Sequence, residues 1–321
     1  MKTLQNLKKL TIFDTSIATS NVGDFIIMDA VNRELHEIFS GDYFTHVPTH
    51  DIIGPVARRH ARAADISFVG GTNLLCPHWF ITNQWKIGKS DFWRVGHPIL
   101  LGVGWQKYCR STDIFTAWML QYLLNNKYKH SVRDAYTQTR LAGAGVTNAI
   151  NTGCVTMWRL TPEHCKIIPT QKSDSVVMTV TCYDKNPKVD QAWINLVCAK
   201  YKNVYFWPQM VEDEPYFLSI CNKEVKWIGG NISAYDKFLI STDVDFVGTR
   251  LHGGIRALQH KRRALILEVD NRAKEMGKDT DLPTCDRGDL EKIGQMIDAS
   301  AETKLRLAMD NILSWKAQFK S

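Results

Sequence analysis

One stretch decides how this chain folds: Val244-Asp245-Phe246-Val247-Gly248-Thr249-Arg250-Leu251-His252-Gly253-Gly254. Its apolar run, Val244 to Val247, predicts a buried strand, and the glycines after it predict a turn into a helix. A strand that stops at glycines just before a helix leaves backbone N–H groups pointing outward. Arg250 adds a planar donor fork, and His252 adds a proton that titrates near neutral pH. We expect an anion to bind here.

Similar strand-to-helix transitions occur along the whole chain. In the first half, the predicted strands are Leu10 to Phe13, Phe44 to Val47, Ile66 to Val69 and Ile99 to Val103. In the second half, they are Val176 to Thr181, Val204 to Trp207, Val225 to Ile228, Asp245 to Val247 and Ala264 to Val269. Helical spacing of apolar residues separates them, as over Phe25 to Phe39, in a helix that begins near Gly23. This alternation predicts an α/β fold with parallel sheets.

The predicted architecture has two Rossmann-like domains that face each other across a cleft. A chain of 321 residues is long enough for two domains, and the polar stretch Pro169 to Ser175 has the composition of a linker. We therefore expect domains over residues 1–170 and 171–321, with a terminal helix over 301–319 that crosses the junction. Ligands of such folds bind at the carboxyl ends of the strands, so function is expected in the loops that follow strands.

Charge and cysteine content exclude several classes of protein. The net charge is +7, but the densest basic cluster, His260-Lys261-Arg262-Arg263, is short, and no nucleic-acid-binding signature accompanies it. Eight cysteines without a C-x-x-C pair indicate free thiols rather than a metal site or a disulfide framework. No apolar run could span a bilayer, and no signal-peptide core is present, which predicts a cytoplasmic protein. The basic surface is compatible with peripheral contact with anionic lipid at the inner face of the membrane.

Glycine-rich or polar residues follow three of the predicted strands, at Asn21 to Asp24, Gly70 to Asn73 and Gly248 to Gly254. Glycine permits a close approach of backbone to ligand, although it also serves simply to turn a tight corner. Asp24 has a structural alternative too, since an acidic residue in the first turn of a helix is favoured by the macrodipole. Both interpretations of these loops stay open from the residues alone.

Five segments together resemble the polysaccharide pyruvyl transferase family. They occur in the family's order, and the resemblance covers most of the chain, from about residue 12 to about residue 277. The segments are Asn21-Val22-Gly23-Asp24, Gly70-Gly71-Thr72, Leu100-Leu101-Gly102-Val103-Gly104, Ser131-Val132-Arg133-Asp134 and Gly248-Thr249-Arg250-Leu251-His252-Gly253.

The resemblance implies a glycosyltransferase-B-like architecture and a reaction without a cofactor. Phosphoenolpyruvate would be the co-substrate, and a sugar, oligosaccharide or lipid-linked glycan would accept pyruvate on two hydroxyls as a ketal. By this resemblance, the donor pocket would be lined by Arg250, Leu251, His252, Gly253 and Arg272. The acceptor side would be formed by Asn21, Asp24, Gly70, Gly71, Asn73 and Arg133.

Three of these residues are expected to act in catalysis. Arg250 would hold the charge of phosphoenolpyruvate, and His252 would be either the general acid or a phosphate donor. Asp24 is the candidate base or orienting group for the acceptor hydroxyl. Trp79 and Trp85 are candidates to stack on the sugar, with core packing as the alternative for each. No metal site is expected.

Departures from the family pattern leave other functions open. Lys261-Arg262-Arg263 replaces a glycine-x-proline turn, Arg272 replaces a lysine, Gly153 an aspartate and Thr72 a glycine. A nucleotide-sugar glycosyltransferase would often carry two glutamates with seven residues between them, whereas six separate Glu268 from Glu275. A non-catalytic glycan-binding paralogue is the third hypothesis for the function.

Overall fold

The computed structural model describes residues 7–88 and 91–320, which form two compact units. The first unit contains the chain up to Thr19, Ile27–Val155 and the residues from Ala308 onward. The second contains Ser20–Ile26 and Thr156–Leu307. The boundary between Val155 and Thr156 lies upstream of the division expected after residue 170. Whether the units are independent domains around a shared cleft stays a prediction.

The first unit is built on parallel strands. They are β1 (Lys9–Asp14), β2 (Tyr43–Pro48), β3 (Ile66–Gly70), β4 (Ile99–Leu101), β5 (His130–Val132) and β6 (Ala149–Asn151). Four form a sheet in the order β2-β1-β3-β4, in which Leu10 pairs with Phe44 and with Ile66. β5 and β6 form a parallel pair, and a parallel bridge from Val103 to Val132 aligns this pair with the chain after β4.

Helices connect these strands and bury both faces of the sheet. They are α1 (Val22–Ile38), α2 (Pro55–Ala63), α3 (Trp79–Thr82), α4 (Ile114–Leu123) and α5 (Ala135–Gly143). On one face, Phe13, Val69 and Leu100 belong to a core that also contains Met119 and Leu120 of α4. The side chains of alternate strand residues point to opposite faces of the sheet. One short apolar strand therefore contributes side chains to the core on each face.

The second unit contains one parallel sheet of six strands. The strands are β7 (Ser175–Thr179), β8 (Asn203–Phe206), β9 (Lys226–Trp227), β10 (Asp245–Gly248), β11 (Ala264–Glu268) and β12 (Thr284–Asp286). Their order, β12-β11-β10-β7-β8-β9, is that of a doubly wound dinucleotide-binding sheet. The predicted α/β class with parallel sheets is confirmed in both units.

Helices of the second unit also cover both faces of its sheet. They are α6 (Pro162–Cys165), α7 (Pro187–Lys200), α8 (Asp213–Ile220), α9 (Ile232–Ser241), α10 (Leu251–Gln259), α11 (Asn271–Thr280) and α12 (Leu290–Asp298). Val176, Val247 and Leu267 pack on the side of α7, α8 and α12. Ile266 faces the other way, and a Cβ at Gly254 of α10 would lie only 2.4 Å from its Cγ1. Glycine therefore allows α10 to pack closely on the sheet.

The expectation of a terminal helix over residues 301–319 is partly wrong. Helix α13 begins at Met309 and ends at Ala317, and residues 301–308 are not helical. In that segment, the backbone N–H of Ala301 donates to Thr170 O at 3.1 Å, and that of Arg306 donates to Thr280 O at 2.8 Å. These bonds within the second unit replace the bonds that a helix would make. α13 itself belongs to the first unit, where Trp315 packs against Phe68.

Predicted and observed strands differ mainly at their ends. β4 stops at Leu101 instead of Val103, because Gly102 adopts a positive φ of 67° that ends the extended backbone. β5, β6 and β12 are absent from the predicted strands, because polar residues interrupt each of these three-residue segments and leave no apolar run. Within residues 7–88 and 91–320, the helices are too short or too polar to cross a membrane.

Candidate functional site

The sequence Gly248 to Gly254 lies at the topological switch point of the second unit. There β10 lies beside β7, and the connections from the two strands lead to opposite sides of the sheet, which opens a crevice at their carboxyl ends. A Cβ at Gly248 would lie 2.4 Å from Thr179 Oγ1 and 2.6 Å from Thr179 N. The loop must therefore leave the sheet through a glycine. Thr249 then donates its N–H to Thr179 O at 3.0 Å.

Arg250 turns back into the protein instead of pointing into solvent. Its residue exposure is 1%, and its Nε donates to Val180 O at 2.8 Å and to Asp213 Oδ2 at 3.0 Å. Its Nη2 donates to Asp213 Oδ1, which completes a bidentate ion pair. Such a planar pair fixes the orientation of the guanidinium as well as its charge.

Asp213, at the start of α8, balances the charge of Arg250 and also organises the surrounding loops. Its carboxylate accepts backbone N–H groups from Cys182 at 3.1 Å, Gln209 at 3.1 Å and Met210 at 3.0 Å. The loops after β7, β8 and β10 are thus tied to one buried side chain. One guanidinium atom, Arg250 Nη1, is buried and has no hydrogen-bond partner in the part of the chain that the structure describes.

The first turn of α10 places Leu251, His252 and Gly253 directly after Arg250. All three are buried, and His252 keeps 5% of its surface exposed. The N–H groups of a first helical turn have no acceptor within the helix and carry its positive end. Tyr235 donates its hydroxyl to Gly253 O at 3.1 Å and so holds this turn in place. His252 therefore lies at the positive end of α10.

Tyr183 lies between the two arginines that were expected in the donor pocket. Its ring centre is 4.9 Å from Arg250 Cζ and 5.8 Å from Arg272 Cζ. Arg272 Nη2 donates to the Tyr183 hydroxyl at 2.6 Å, and Arg272 Nε donates to Asp270 Oδ2 at 2.7 Å. Asp270 is the N-cap of α11. The structure therefore brings Arg250 and Arg272 together through an aromatic ring that is 53% exposed.

The loop Asn21 to Asp24, expected on the acceptor side, lies in the second unit. Asn21 Oδ1 accepts from Gln209 Nε2 at 2.9 Å, and Val22 donates its N–H to Gln209 O at 2.9 Å. Asn21 Nδ2 donates to Asp24 Oδ2 at 3.2 Å. A Cβ at Gly23 would lie 2.6 Å from Gln209 Nε2, which explains the glycine. Gln209 and Asp213 thus connect this loop to Arg250.

Asn73 and Arg133 meet at the carboxyl ends of β3 and β5 in the first unit. Arg133 is 1% exposed, and its Nη2 donates to Asn73 Oδ1 at 2.5 Å. Its Nε is 3.4 Å from Asp134 Oδ2. The guanidinium lies over Gly104, where a Cβ would be 2.2 Å from Nη2. Arg133 Nη1 is buried without a hydrogen-bond partner among residues 7–88 and 91–320.

Gly70 and Gly71 have a structural reason to be glycine. A Cβ at Gly70 would lie 2.8 Å from Met28 Sδ, and one at Gly71 would lie 2.1 Å from Ile27 Cγ2. Gly71 also has a φ of 59°. Both residues let α1 pack tightly on the end of β3. Close helix packing is therefore sufficient to explain them.

Trp79 and Trp85 do not present their rings to solvent, so the expectation that they stack on a sugar is wrong. They are 1% and 0% exposed, and their ring centres lie 5.6 Å apart in the core of the first unit. Trp85 also meets Phe13 edge-on at 5.5 Å. Burial of so large an apolar area outweighs exposure of an indole to solvent.

A further pair of titratable groups stands at the end of β1. Asp14 Oδ2 accepts from His46 Nδ1 at 2.7 Å, and its Oδ1 accepts from Ser16 N at 2.7 Å. Burial opposes ionisation of Asp14, but the hydrogen bonds from His46 and Ser16 lower the pKa of the carboxyl below its usual value. Asp14 is therefore a carboxylate at neutral pH.

Sequence reasoning missed Asp213, Gln209 and Tyr183, which hold the site together. Each lies in a loop or a helix start after a strand of the second unit, with no neighbouring glycine pair to single it out. The only available signal was their position after predicted strands. Burial raises the pKa of the nearby Cys182 thiol, and Asp213 adds to this rise, so the thiol stays protonated beside Arg250.

The chain resembles known proteins in both sequence and fold. The family model for polysaccharide pyruvyl transferase matches residues 21–271. Among solved structures, the complex of Staphylococcus aureus MnaA with UDP is similar, with a TM-score of 0.53 and 11% identity over 92% of each chain. At this identity the likeness concerns the fold alone. No curated protein matches the sequence. The family match spans the site loops from Asn21 to Arg250 and ends one residue before Arg272, and the chain therefore belongs to the polysaccharide pyruvyl transferase family.

Proposed function

We propose that the protein transfers pyruvate from phosphoenolpyruvate to two hydroxyls of one sugar in a glycan and releases phosphate. The observation that carries this proposal is the position of the Arg250-Leu251-His252 turn. It lies at the switch point of the sheet, within the matched family region. Family membership supports a transferase. The donor and the ketal product are our inference.

The donor is proposed to bind where α10 begins. Phosphoenolpyruvate carries a phosphate and a carboxylate, and the positive end of α10 favours either group. Arg250 offers Nη1 as a donor, while its remaining hydrogen bonds to Asp213 and Val180 hold the guanidinium rigid. Tyr183 and Arg272 would close the pocket from the side of α11. Arg250 is thus a rigid positioning group, because Asp213 already neutralises its charge.

The reaction then needs one proton donor and one proton acceptor. A proton from His252 would add to the methylene carbon of phosphoenolpyruvate, which generates a cationic centre at the adjacent carbon. A sugar hydroxyl attacks that carbon and gives up its proton, and the carbon–oxygen bond to phosphate breaks. The second hydroxyl closes the ketal. One hydroxyl proton ends on the new methyl group after passing through the histidine, and the other leaves with phosphate.

The acceptor is proposed to bind at the carboxyl edge of the first unit's sheet. Arg133 Nη1 and the Asn73 amide offer donors for sugar hydroxyls there. Asp24, held by Asn21, is the proposed base for the attacking hydroxyl. The Asp24→Asn variant described below tests this assignment.

Incubation with phosphoenolpyruvate and a panel of sugars, oligosaccharides and lipid-linked glycans tests the proposal. A mass increase of the acceptor by one pyruvyl group, with release of inorganic phosphate, is expected. Phosphate release without a modified acceptor would contradict ketal formation.

His252→Ala should reduce turnover about 100-fold or more if the imidazole supplies the proton. His260→Ala is the matched control, because His260 ends the same helix and bonds Asp236 at 3.0 Å. It should retain wild-type turnover. Near-normal turnover of His252→Ala would contradict the role of the imidazole. Asp24→Asn in the same assay should lower turnover with little change in donor affinity if Asp24 is the base.

A nucleotide ligand is the second candidate, favoured by the UDP complex of the similar structure. Thermal shifts measured separately with phosphoenolpyruvate, UDP and UDP-sugars distinguish the two. Stabilisation by UDP compounds alone would favour a nucleotide-sugar enzyme of this architecture. Stabilisation by phosphoenolpyruvate without turnover on any acceptor would favour a non-catalytic paralogue.

A further inference from the structure

An aromatic patch covers part of the surface of the first unit. It comprises Phe80, Trp93, Phe115, Trp118 and Tyr122, each between 36% and 58% exposed. The rings form one continuous group, with centre distances of 4.9 Å for Phe80–Phe115, 5.7 Å for Phe115–Trp118 and 4.6 Å for Trp93–Tyr122. Single exposed aromatics are ordinary, whereas contiguous large ones mark interaction sites.

Helix α4 shows that this exposure is built into the sequence. Met119, Leu120 and Leu123 face the core, as the inner face of any helix would. The outer face carries Ile114, Trp118 and Tyr122 at a spacing of four residues, where charged residues normally stand. α4 contains no charged residue at all. An outer helix face with large apolar side chains and no charge is typical of a surface that contacts another molecule.

A shallow groove of about 490 Å³ runs through the aromatic patch, lined in part by Phe80, Trp93 and Trp118. Two isoleucines stand beyond the rings: Ile81 is 81% exposed, and Ile114 is 90% exposed. Side chains that protrude this far would insert into a fluid apolar layer. They would obstruct the approach of a flat sugar ring to the aromatic side chains.

The stretch of sequence that carries the aromatic patch is strongly basic. Residues 77–129 contain seven lysines and arginines but only two aspartates. Asp91 is buried and pairs with Arg58 at 2.5 Å, and Asp113 caps α4 through Thr116 N at 2.8 Å. Among the described residues, the exposed cations on the segments next to the patch include Lys86, Arg94, Lys107 and Arg110. Most of the net charge of +7 therefore comes from this part of the chain.

We propose that the aromatic patch binds the surface of an anionic lipid bilayer. Tryptophan and tyrosine favour the headgroup level of a membrane, because each ring combines an apolar body with a polar atom. Ile81 and Ile114 would reach into the acyl boundary, and the flanking cations would meet the anionic headgroups. This inference stands on the surface alone and does not depend on the proposed reaction.

Flotation of the full chain with vesicles tests the proposal. Vesicles of phosphatidylcholine with about 30 mol% phosphatidylglycerol should carry the protein upward, and vesicles of phosphatidylcholine alone should carry much less. Trp93→Ser with Trp118→Ser should weaken binding about tenfold or more. The matched control is Trp227→Ser, because Trp227 is 44% exposed but lies in the second unit. It should bind as the wild type does.

A second variant tests whether weaker binding by the tryptophan variant results only from misfolding. Ile81→Ser with Ile114→Ser changes only highly exposed side chains, so circular dichroism and the melting temperature should stay at wild-type values while flotation falls. Wild-type protein that stays at the bottom with anionic vesicles would overturn the proposal. So would a dimer, seen by sedimentation velocity, that the tryptophan variant abolishes while vesicles remain unbound, since the patch would then join two copies of this chain.

Discussion

Arg250 and Arg133 are buried arginines that follow parallel strands in the two units, and they are held in different ways. Each is 1% exposed, each follows a strand near the carboxyl edge of a parallel sheet, and each leaves Nη1 buried without a described hydrogen-bond partner. Arg250 forms a bidentate ion pair with Asp213. Arg133 instead donates to the neutral Asn73 amide and lies 3.4 Å from its nearest carboxylate, Asp134. The charge of Arg133 is therefore less completely balanced.

This difference separates two uses of a buried arginine. A guanidinium paired to a carboxylate fixes the geometry of its loops, and most of its attraction for an anion is already satisfied. A guanidinium held by an amide keeps more of its positive potential for a ligand. We assign Arg133 to neutral sugar hydroxyls. Its remaining positive potential would also favour an acceptor that carries an anionic group.

The largest expected effect is that of Asp213→Asn. Removing one partner of a buried ion pair leaves an uncompensated charge, so the free energy of unfolding should fall by about 3–5 kcal/mol in urea titrations. Asp134→Asn is the control in the first unit, because asparagine caps α5 as well as aspartate does. Equal destabilisation by the two changes would show that both arginines depend on their carboxylates alike.

A pH effect of roughly 3 kcal/mol is expected from His130, which begins the strand that leads to Arg133. Its Nδ1 accepts from Leu100 N at 3.1 Å and its Nε2 donates to Asn125 O at 2.8 Å, so the neutral ring is fully bonded. Burial lowers the pKa of His130 to about 4, against 6.5 unfolded. The unfolded chain therefore takes up the proton first, and stability falls as pH drops from about 6.5 to about 4.

His130→Gln should flatten that slope, as measured by urea unfolding at a series of pH values. Above about pH 7 neither state takes up the proton, so there the two proteins should differ by a constant amount. A variant that loses stability in acid as steeply as the wild type would assign the acid sensitivity to other groups.

A smaller effect, of about 1–3 kcal/mol, is expected for the glycines beside the two arginines. Gly248→Ala should cost more than Gly104→Ala, because its Cβ meets the backbone of Thr179 at 2.6 Å, whereas that of Gly104 meets the tip of Arg133. Gly143→Ala is the control without a clash, because its Cβ would meet nothing within 4 Å, and at the end of α5 it should not destabilise the protein. Thermal unfolding measures all three. A reversed order would mean that Arg133 is held more rigidly than the backbone near Arg250.

The same comparison shows what the sequence could predict. Buried parallel strands are short apolar runs, so the α/β alternation and the loop at Gly248 could be predicted from composition and spacing. The order of five motifs predicted the family, which the match over residues 21–271 confirms.

The partners of the two arginines could not be predicted in this way. Asp213 is distant from Arg250 in the sequence, and Asn73 is distant from Arg133, so only the sheet topology brings each pair together. The second-unit position of Asn21 and Asp24 depends on Gln209, again far along the chain. The burial of Trp79 and Trp85 follows from three-dimensional packing that no local pattern reports.

Helix α13 is the last element in the chain but belongs to the first unit, and this affects folding during synthesis. Trp315 is fully buried against Phe68, and Phe319 lies 5.4 Å from Phe39 between ring centres. Gln318 exchanges two hydrogen bonds with the backbone of Lys129. On the ribosome, the unit that emerges first would thus keep an open apolar face until residues near 320 leave the exit tunnel. The second unit can complete its sheet earlier, so the order of folding would be the reverse of the order of synthesis.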